Sequence, residues 1–224
     1  MNKVSPKVVY KFCNETVGRI NLESGRLRGS ILNDQNDIFE MDAFLFPDDM
    51  QRGAHKYLID SKSAAWRSIS FSKTFENPLL WGLYADSNKG MCLGFAFEQE
   101  DVLHSVSYVE SRGLLDLRDR PPKDDPDYNN FFVRLFTTKH AGWSYEEEAR
   151  VLFEPLPERL EGVHGYEPFS EGMKLVEVIL GARWPHDPRE FRSWLDKNGY
   201  SHVELKVAAP SKQEFRIIAS GIAR

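Results

Sequence analysis

Short runs in which apolar and polar residues alternate, or in which β-branched and aromatic residues follow one another, recur along the whole chain. Such runs predict β-strands, because successive side chains of a strand point to opposite faces and β-branched residues pack well on a pleated surface. The alternation in WRSISFS and the apolar run MKLVEVILG are the clearest cases. The strands predicted in this way are 7–12, 66–72, 89–97, 104–110, 173–181, 202–209 and 215–220.

The segment 187–199 carries the sequence signals of a complete helix. Asp187 is a typical N-cap, Pro188 suits the first helical position and Gly199 ends the pattern. Glu190 stands three residues after Asp187, as in a capping box. The apolar positions recur at helical spacing, so the helix is predicted to pack on the sheet. These positions are Phe191, Trp194 and Leu195.

A second helix is predicted within 77–85, where Asn77 is a good N-cap and Pro78 follows it. Leu80 and Tyr84 lie on one face of this helix, with Trp81 beside them. Such a pair of aromatic residues ordinarily belongs to a core, and it can equally form the wall of a pocket for a flat ring. A further helical segment is predicted over 131–139, between a loop at 118–130 and the glutamate run at 146–148.

Three stretches lack a regular pattern. Residues 20–44 are polar and rich in turn formers, 47–64 are predicted to be a charged loop with one helical turn at most, and 118–130 an exposed proline-rich loop. The order is therefore many strands, few helices and no regular alternation of the two. This order predicts a single α+β domain over 1–224, with a split or strongly bent mixed β-sheet.

The composition excludes several classes of protein. The chain has 224 residues, 41% of them hydrophobic, and a formal net charge of −5, so it lacks the basic bias of a free-standing nucleic-acid binder. Its two cysteines, Cys13 and Cys92, lie in apolar contexts and are expected to be buried free thiols. Because no apolar run reaches transmembrane length and the N-terminus lacks a signal-peptide core, we expect a cytoplasmic protein without membrane contact.

The stretch GWSYEEEARVLF raises the question of function. If residues 143–153 form a strand, period two places Glu146, Glu148 and Arg150 on one face, while Glu147 points to the other. Arg150 then lies close enough to keep Glu148 ionised. One interpretation is a reactive carboxylate pair beside a guanidinium. The other is a charged sheet edge that protects against aggregation, and the spacing alone favours it.

Other candidate residues are fewer. In the segment 35–40, Asn36 and Asp37 are turn formers and Phe39 is a possible anchor, so a loop-shaping role is favoured over catalysis by Asp37 or Glu40. The six histidines are scattered without a metal-binding spacing. Neither a P-loop, a dinucleotide-binding glycine motif nor a nucleophile elbow occurs in the sequence.

Several short motifs together resemble a bacterial family of unassigned function. In that family a Tyr-Lys-Tyr near the start is followed by F-N-D-P-F-E, W-x-x-Y-A-x-x-x-x-G and K-x3-W-x2-E-x-E-x-R. The corresponding segments here are Tyr10–Phe12, 35–40, 81–90 and 139–150, and F-S (71–72), V-x-Y (106–108) and L-G-A (180–182) also agree. The phenylalanine and proline of the second motif are replaced by Gln35 and Ile38. The loop is therefore expected at the same place as in the family, but its shape does not follow from the resemblance.

The same chain is distantly similar to ADP-ribosyltransferases. This resemblance implies that the chain has the fold of these enzymes, and that it uses NAD as a substrate and needs no metal ion. In that superfamily a first strand supplies His or Arg to the NAD ribose, a later strand and helix supply Ser or Tyr against nicotinamide, and a late strand supplies a glutamate. The resemblance assigns the first place to Tyr10 or Lys11, the second to Ser72 and Tyr84, and the third to Glu148. The catalytic residues implied are Glu148 and Glu146, and the NAD-binding residues are Tyr10, Lys11, Ser72, Trp81, Tyr84 and Arg150.

The first strand contains neither His nor Arg, so Arg19, Arg26 or Arg28 takes that place only if the fold brings it there. The resemblance implies transfer of ADP-ribose to a macromolecular acceptor or to water, in a toxin or phage-defence effector with an inhibitory or regulatory partner protein. Two alternatives stay open. One is a non-catalytic module that binds a nucleotide or a partner, and the other is a Mg²⁺-dependent nuclease that uses Asp37, Glu40, Glu146 and Glu148.

Overall fold

The elements below are those of a computed structural model, which describes residues 8–222. Lys7, the first residue of the first predicted strand, and residues 1–6, which belong to the N-terminal segment without a signal-peptide core, lie outside this range. The helices are α1 (Glu15–Ser24), α2 (Asp49–Ala65), α3 (Pro78–Tyr84), α4 (Tyr128–Phe136) and α5 (Pro188–Lys197). The first strands are β1 (Val8–Cys13), β2 (Arg26–Ile31), β3 (Phe44–Leu45), β4 (Arg67–Ser72), β5 (Met91–Phe97), β6 (His104–Ser105), β7 (Ser107–Val109) and β8 (Gly113–Leu114). They are followed by β9 (Thr138–His140), β10 (Glu148–Phe153), β11 (Leu160–Glu161), β12 (His164–Pro168), β13 (Met173–Leu180), β14 (Glu204–Pro210) and β15 (Ile217–Gly221).

One large sheet runs through the described residues and joins strands from both ends of the chain. Its main path is β11-β12-β2-β4-β1-β5-β13-β14-β15, and β10 pairs with β4 and β6. The pairing of β13 with β14 is parallel, whereas that of β13 with β5 is antiparallel, so the sheet is mixed. The prediction of an α+β fold with a mixed sheet is therefore confirmed.

The sheet divides at β4. One edge of β4 pairs with β10 along its whole length, from Arg67 to Ser72. The other edge is shared, because β2 pairs at Arg67 and Ser68 while β1 pairs at Ser72. Between these two contacts, at Ser70, β2 and β1 lie apart and neither pairs with β4. This division opens the sheet next to the residues that form the candidate site.

Helices cover both faces of the sheet. Phe191 and Leu195 of α5 are buried in the larger apolar cluster, and Trp194 packs against it, as the helical spacing predicts. Asp187 accepts a hydrogen bond from the Arg189 N–H and is the predicted cap. On the other face, α3 contributes Leu80 and Trp81 to a second cluster. Both cysteines are buried free thiols, as expected.

The helix α2 corrects the prediction of a charged loop over 47–64. It is 17 residues long, and its buried positions recur every fourth residue. Those positions are Gln51, His55, Ile59 and Ser63. Because three of the four are polar, the stripe lacks the apolar signal by which an amphipathic helix is recognised. The shorter helix α1 was also missed, and its second half lies in the stretch 20–44 that was interpreted as polar and turn-rich.

The N-cap of α2 gives a direct test of this local structure. Asp48 accepts a hydrogen bond of 2.8 Å from the Gln51 N–H. We expect Asp48→Ala to lower the free energy of unfolding by about 1 kcal/mol, since it removes this cap. Urea denaturation measures the change. The neighbouring Asp49 is not the cap, so Asp49→Ala is the matched control, and equal losses for the two variants would contradict the assignment.

The proline-rich segment 118–130 is a loop only in part. The loop ends at Asp127, and α4 begins at Tyr128, earlier than predicted. Two further small sheets, β3 with β8 and β7 with β9, lie outside the main sheet. Within residues 8–222, the helices are all too short or too polar to cross a membrane.

Candidate active site

The glutamate run does not continue a strand, and the prediction of a strand over 143–153 is wrong for its first half. Residues Ala141–Glu146 form a 3-10 helix, Glu147 adopts a left-handed conformation with φ of 44°, and β10 begins at Glu148. Three adjacent carboxylates disfavour a regular strand. The Asn77 side chain also holds this helix, because its amide donates to the Tyr145 carbonyl at 2.7 Å.

This turn buries two of the three glutamates and exposes the third, which is the arrangement that the alternation of a strand was expected to produce. The side chains of Glu146 and Glu148 are both buried, with 8% and 2% of their surface exposed, whereas Glu147 is exposed. The distinction between two inward glutamates and one outward glutamate therefore holds, although its geometric cause is a left-handed residue between a 3-10 helix and a strand.

Lys139 lies among three carboxylates. Its Nζ is 2.7 Å from Glu148 Oε2, 2.9 Å from Glu146 Oε2 and 3.4 Å from Glu40 Oε2. Only 4% of the lysine side chain is exposed. The Glu40 contact is an ion pair without a hydrogen bond, since this oxygen has no hydrogen-bond partner. Lys139 thereby brings the loop that carries Glu40 against the glutamate segment.

Arg150 lies behind this group and is fully buried. Its Nε and Nη2 donate to the two oxygens of Glu148 at 2.9 and 3.0 Å. Its Nη1 donates to Glu40 at 2.7 Å and to the Phe136 carbonyl at 2.6 Å. The bidentate geometry fixes the orientation of the Glu148 carboxylate.

The electrostatics of the cluster keep Glu148 and Lys139 ionised. Burial favours a neutral Glu148, but Arg150 and Lys139 outweigh it and hold the pKa of this carboxyl below its usual value. Burial also opposes a charged Lys139, but Glu148, Glu40 and Glu146 raise the pKa of its ammonium. With Arg150 included, three carboxylates contact two cationic side chains.

A cavity of about 180 Å³ opens in front of these carboxylates, at the division of the sheet. Its walls come from β1, β2, β4, α3 and the loop 35–36. The lining residues are Tyr10, Lys11, Phe12, Ser30, Gln35, Asn36, Ser70, Phe71, Ser72, Leu80, Tyr84, Lys139, Glu146 and Glu148. The structure thus places six of the eight candidate residues in one cavity. Drug-sized ligands occupy about 300–1,000 Å³, so this cavity suits one ring rather than a whole dinucleotide.

Two candidate residues do not line the cavity. Trp81 is fully buried in the core, and its indole N–H donates to the Phe75 carbonyl at 2.6 Å. This position corrects the expectation that Trp81 forms the aromatic wall, since the side chain of Trp81 leaves the helix in another direction than that of Tyr84. Arg150 contacts Glu148 from behind and is shielded from the cavity, so it can orient Glu148 but does not touch a ligand there.

The tyrosines around the cavity are tied to buried groups. Tyr84 donates its hydroxyl proton to Glu146 Oε1 at 2.6 Å and accepts a hydrogen bond from Asn36 at 3.2 Å. Tyr108, the tyrosine of the V-x-Y motif, accepts a hydrogen bond from the Glu148 N–H at 2.8 Å. Burial raises the pKa of Tyr108 to about 12, so this hydroxyl is neutral near pH 7.

Two acidic residues of the loop 35–40 have different roles. Asp37 accepts from the Phe39 N–H at 2.9 Å, which is the loop-shaping role that the sequence favoured. Glu40 instead enters the buried cluster through Arg150 and Lys139. The role of Lys139 as the centre of the cluster was missed, although the lysine opens the K-x3-W-x2-E-x-E-x-R motif.

No group of three or more His, Cys, Asp or Glu residues within 8–222 has a geometry that could hold a metal ion. The three glutamates instead surround an ammonium group. Comparisons of the chain with protein-family models, with curated proteins and with solved structures gave no significant match. The geometry of the site is therefore the basis for a proposed function.

Proposed function

We propose that this protein is an NAD-consuming enzyme of the ADP-ribosyltransferase type, which transfers ADP-ribose to a macromolecule or to water. The observation that carries this proposal is the convergence of Tyr10, Ser72, Tyr84 and Glu148 on one cavity. These residues come from two strands, a helix and a distant strand, in the order that the resemblance implies. The cavity has the size of one aromatic ring and an ionised carboxylate at its inner side.

The chemistry needs such a carboxylate. Cleavage of the bond between nicotinamide and ribose passes through a transition state that resembles an oxocarbenium cation. An ionised Glu148 held by Arg150 and Lys139 stabilises that positive charge without having to reorient. Glu146 lines the same cavity and is the group placed to orient an incoming nucleophile.

The carboxylates that line the cavity favour the same reaction. Bound NAD carries a positive pyridinium ring, and this charge is lost from the ring when neutral nicotinamide leaves. The positive charge moves to the ribose in the transition state, close to the carboxylates. Glu148 and Glu146 therefore stabilise the substrate ring and the transition state more than the neutral leaving group.

The rest of NAD must lie outside the small cavity, and Arg28 is suited to meet it. Arg28 lies two residues before Ser30 on β2, so both side chains are on one face of the strand, and Ser30 lines the cavity. Arg28 is exposed, and its side chain has no hydrogen bond or ion pair with any residue of the described range. An unpaired guanidinium suits a phosphate group.

The other two arginines that were considered for this role are engaged elsewhere. Arg19 forms an ion pair with Glu15 and lies over the rings of α5, 4.9 Å from the Phe191 centroid. Arg26 pairs with Glu161 and lies 3.9 Å from the Tyr166 centroid. Of the three, only Arg28 is free to contact a ligand.

Release of nicotinamide is the direct test. Purified protein is incubated with NAD, with and without EDTA and with and without a bacterial lysate as a source of acceptor, and free nicotinamide is measured by liquid chromatography. We expect nicotinamide release that EDTA does not change, because the site has an ammonium where a metal enzyme has its ion. An intact NAD pool in all four mixtures, or release that EDTA abolishes, would contradict the proposal.

A further inference from the structure

A buried carboxylate outside the proposed mechanism controls one wall of the cavity. Tyr10 lines the cavity, and its hydroxyl donates to Glu177 Oε1 at 2.9 Å. Only 6% of Glu177 is exposed, and its second oxygen accepts from Lys206 Nζ at 2.6 Å. Because the Tyr10 proton is bound to Glu177, the hydroxyl can offer a ligand only its lone pairs.

Two backbone features place Glu177 against Tyr10. The register of β13 against β5 shifts between Leu175 and Glu177, which turns the Glu177 side chain relative to a regular strand. The residue opposite is Gly94, and a Cβ atom at that position would lie 2.5 Å from Glu177 Cγ. The carboxylate therefore crosses the sheet where a residue without a side chain leaves room for it.

Two further hydroxyl groups of the cavity are committed in the same direction. Tyr84 donates to Glu146, and Ser70 donates to Glu148. The cations that line the cavity are Lys11 and Lys139. Lys139 faces three carboxylates, and Lys11 donates to the Ser70 carbonyl at 3.1 Å. Burial lowers the pKa of Lys11. Three hydroxyl groups of the cavity, those of Tyr10, Tyr84 and Ser70, thus offer a ligand only their lone pairs.

We propose that this cavity selects a ring that carries positive charge or N–H donors and rejects anions, and that Glu177 is a positioning residue that sets this selectivity through Tyr10. The use of nicotinamide compounds as probes rests on the proposed function, whereas the preference for a cation follows from the hydrogen bonds of the cavity. Within NAD, the pyridinium ring with its carboxamide is the part that meets this requirement.

The variant Glu177→Gln should reverse the direction of one hydrogen bond. Lys206 has only donors, so the single amide oxygen of the introduced glutamine turns towards it, and the amide NH2 then faces Tyr10. The Tyr10 oxygen accepts from this NH2, and its own proton becomes free to point into the cavity. A wall that accepted hydrogen bonds would then donate one, which favours an anionic ring.

Binding of three small probes tests this inference by calorimetry or ligand-observed NMR: the 1-methylnicotinamide cation, neutral nicotinamide and anionic nicotinate. We expect the wild-type protein to bind the cation at least about tenfold more tightly than nicotinate, and Glu177→Gln to lower this ratio by about tenfold. Tyr10→Phe, which keeps the ring but removes the hydroxyl, should lower the ratio as well and does not depend on the folding of the Glu177 variant.

Glu204→Gln is the matched control, because Glu204 pairs with the same Lys206 at 3.2 Å but does not touch Tyr10. It should leave the ratio unchanged. A wild-type ratio of one or less, or equal ratios in Glu204→Gln, Tyr10→Phe and Glu177→Gln, would overturn the inference. NAD consumption is measured on the same wild-type sample. A cation preference without NAD consumption supports this inference and contradicts the proposed function, and NAD consumption without the preference does the reverse.

Discussion

Replacing Glu148 with glutamine will lower NAD turnover by roughly 10²–10³, which corresponds to about 3–4 kcal/mol in the activation free energy. Gln keeps the size of the side chain but removes the charge that stabilises an oxocarbenium-like transition state. Nicotinamide release under saturating NAD measures the change. The glutamine can accept from Arg150 or from Lys139 but lacks the second carboxylate oxygen, so stability will also fall, and rates are compared only for samples that circular dichroism shows to be folded.

The glutamate run supplies its own controls. Glu147 is exposed between the two buried glutamates, so Glu147→Gln should leave turnover within about twofold of the wild type. Glu146 lines the cavity without the bidentate support of an arginine, and Glu146→Gln should give an intermediate loss that shifts the balance between transfer and hydrolysis. Equal losses in folded Glu147→Gln and Glu148→Gln would contradict the assignment of Glu148.

The variant Arg150→Met is expected to lower the free energy of unfolding by about 3–5 kcal/mol. It removes a fully buried guanidinium and leaves Lys139 as the one cation that Glu148 and Glu40 still contact among the described residues, and buried carboxylate charge that has lost a partner is costly. For a chain of this size the loss corresponds to a fall of roughly 6–20 °C in Tm. Thermal denaturation followed by circular dichroism measures it.

A surface ion pair gives the comparison. Arg216 contacts Glu214 at 2.6 Å, and 47% of its side chain is exposed. We expect Arg216→Met to change the free energy of unfolding by less than about 1 kcal/mol, because solvent screens exposed pairs. If Arg150→Met were as mild as Arg216→Met, the buried cluster would not be the fixed, ionised group that the proposed mechanism requires.

The parts of the fold that follow local rules could be predicted from the sequence. The helix after Asp187 and the helix after Asn77 have strong caps, and both form where the caps place them. The apolar strands around β4, β5 and β13 also form, because their side chains build the main core. In contrast, the residues that α2 buries include the polar Gln51, His55 and Ser63. A sequence pattern does not show that polar residues are buried, so this helix was not recognised.

The candidate site could likewise be predicted from the sequence only in part. The motifs identified Tyr10, Ser72, Tyr84 and Glu148, which line one cavity. The geometry that joins Glu146 to Glu148 depends on the left-handed Glu147, which a period-two pattern does not contain. Glu177 had no signal at all, because its contact with Tyr10 spans 167 residues and depends on a register shift opposite Gly94. Such contacts depend on tertiary structure.

A crystal structure of the Glu148→Gln variant soaked with NAD tests the central claim most directly, because this variant should bind the dinucleotide without consuming it. We predict that the nicotinamide ring occupies the cavity between Tyr10 and Tyr84, with the C1 carbon of its ribose towards residue 148 and the phosphates outside, near Arg28. Electron density for NAD at another surface, or an empty cavity at saturating NAD, would contradict the proposal that this cavity cleaves NAD.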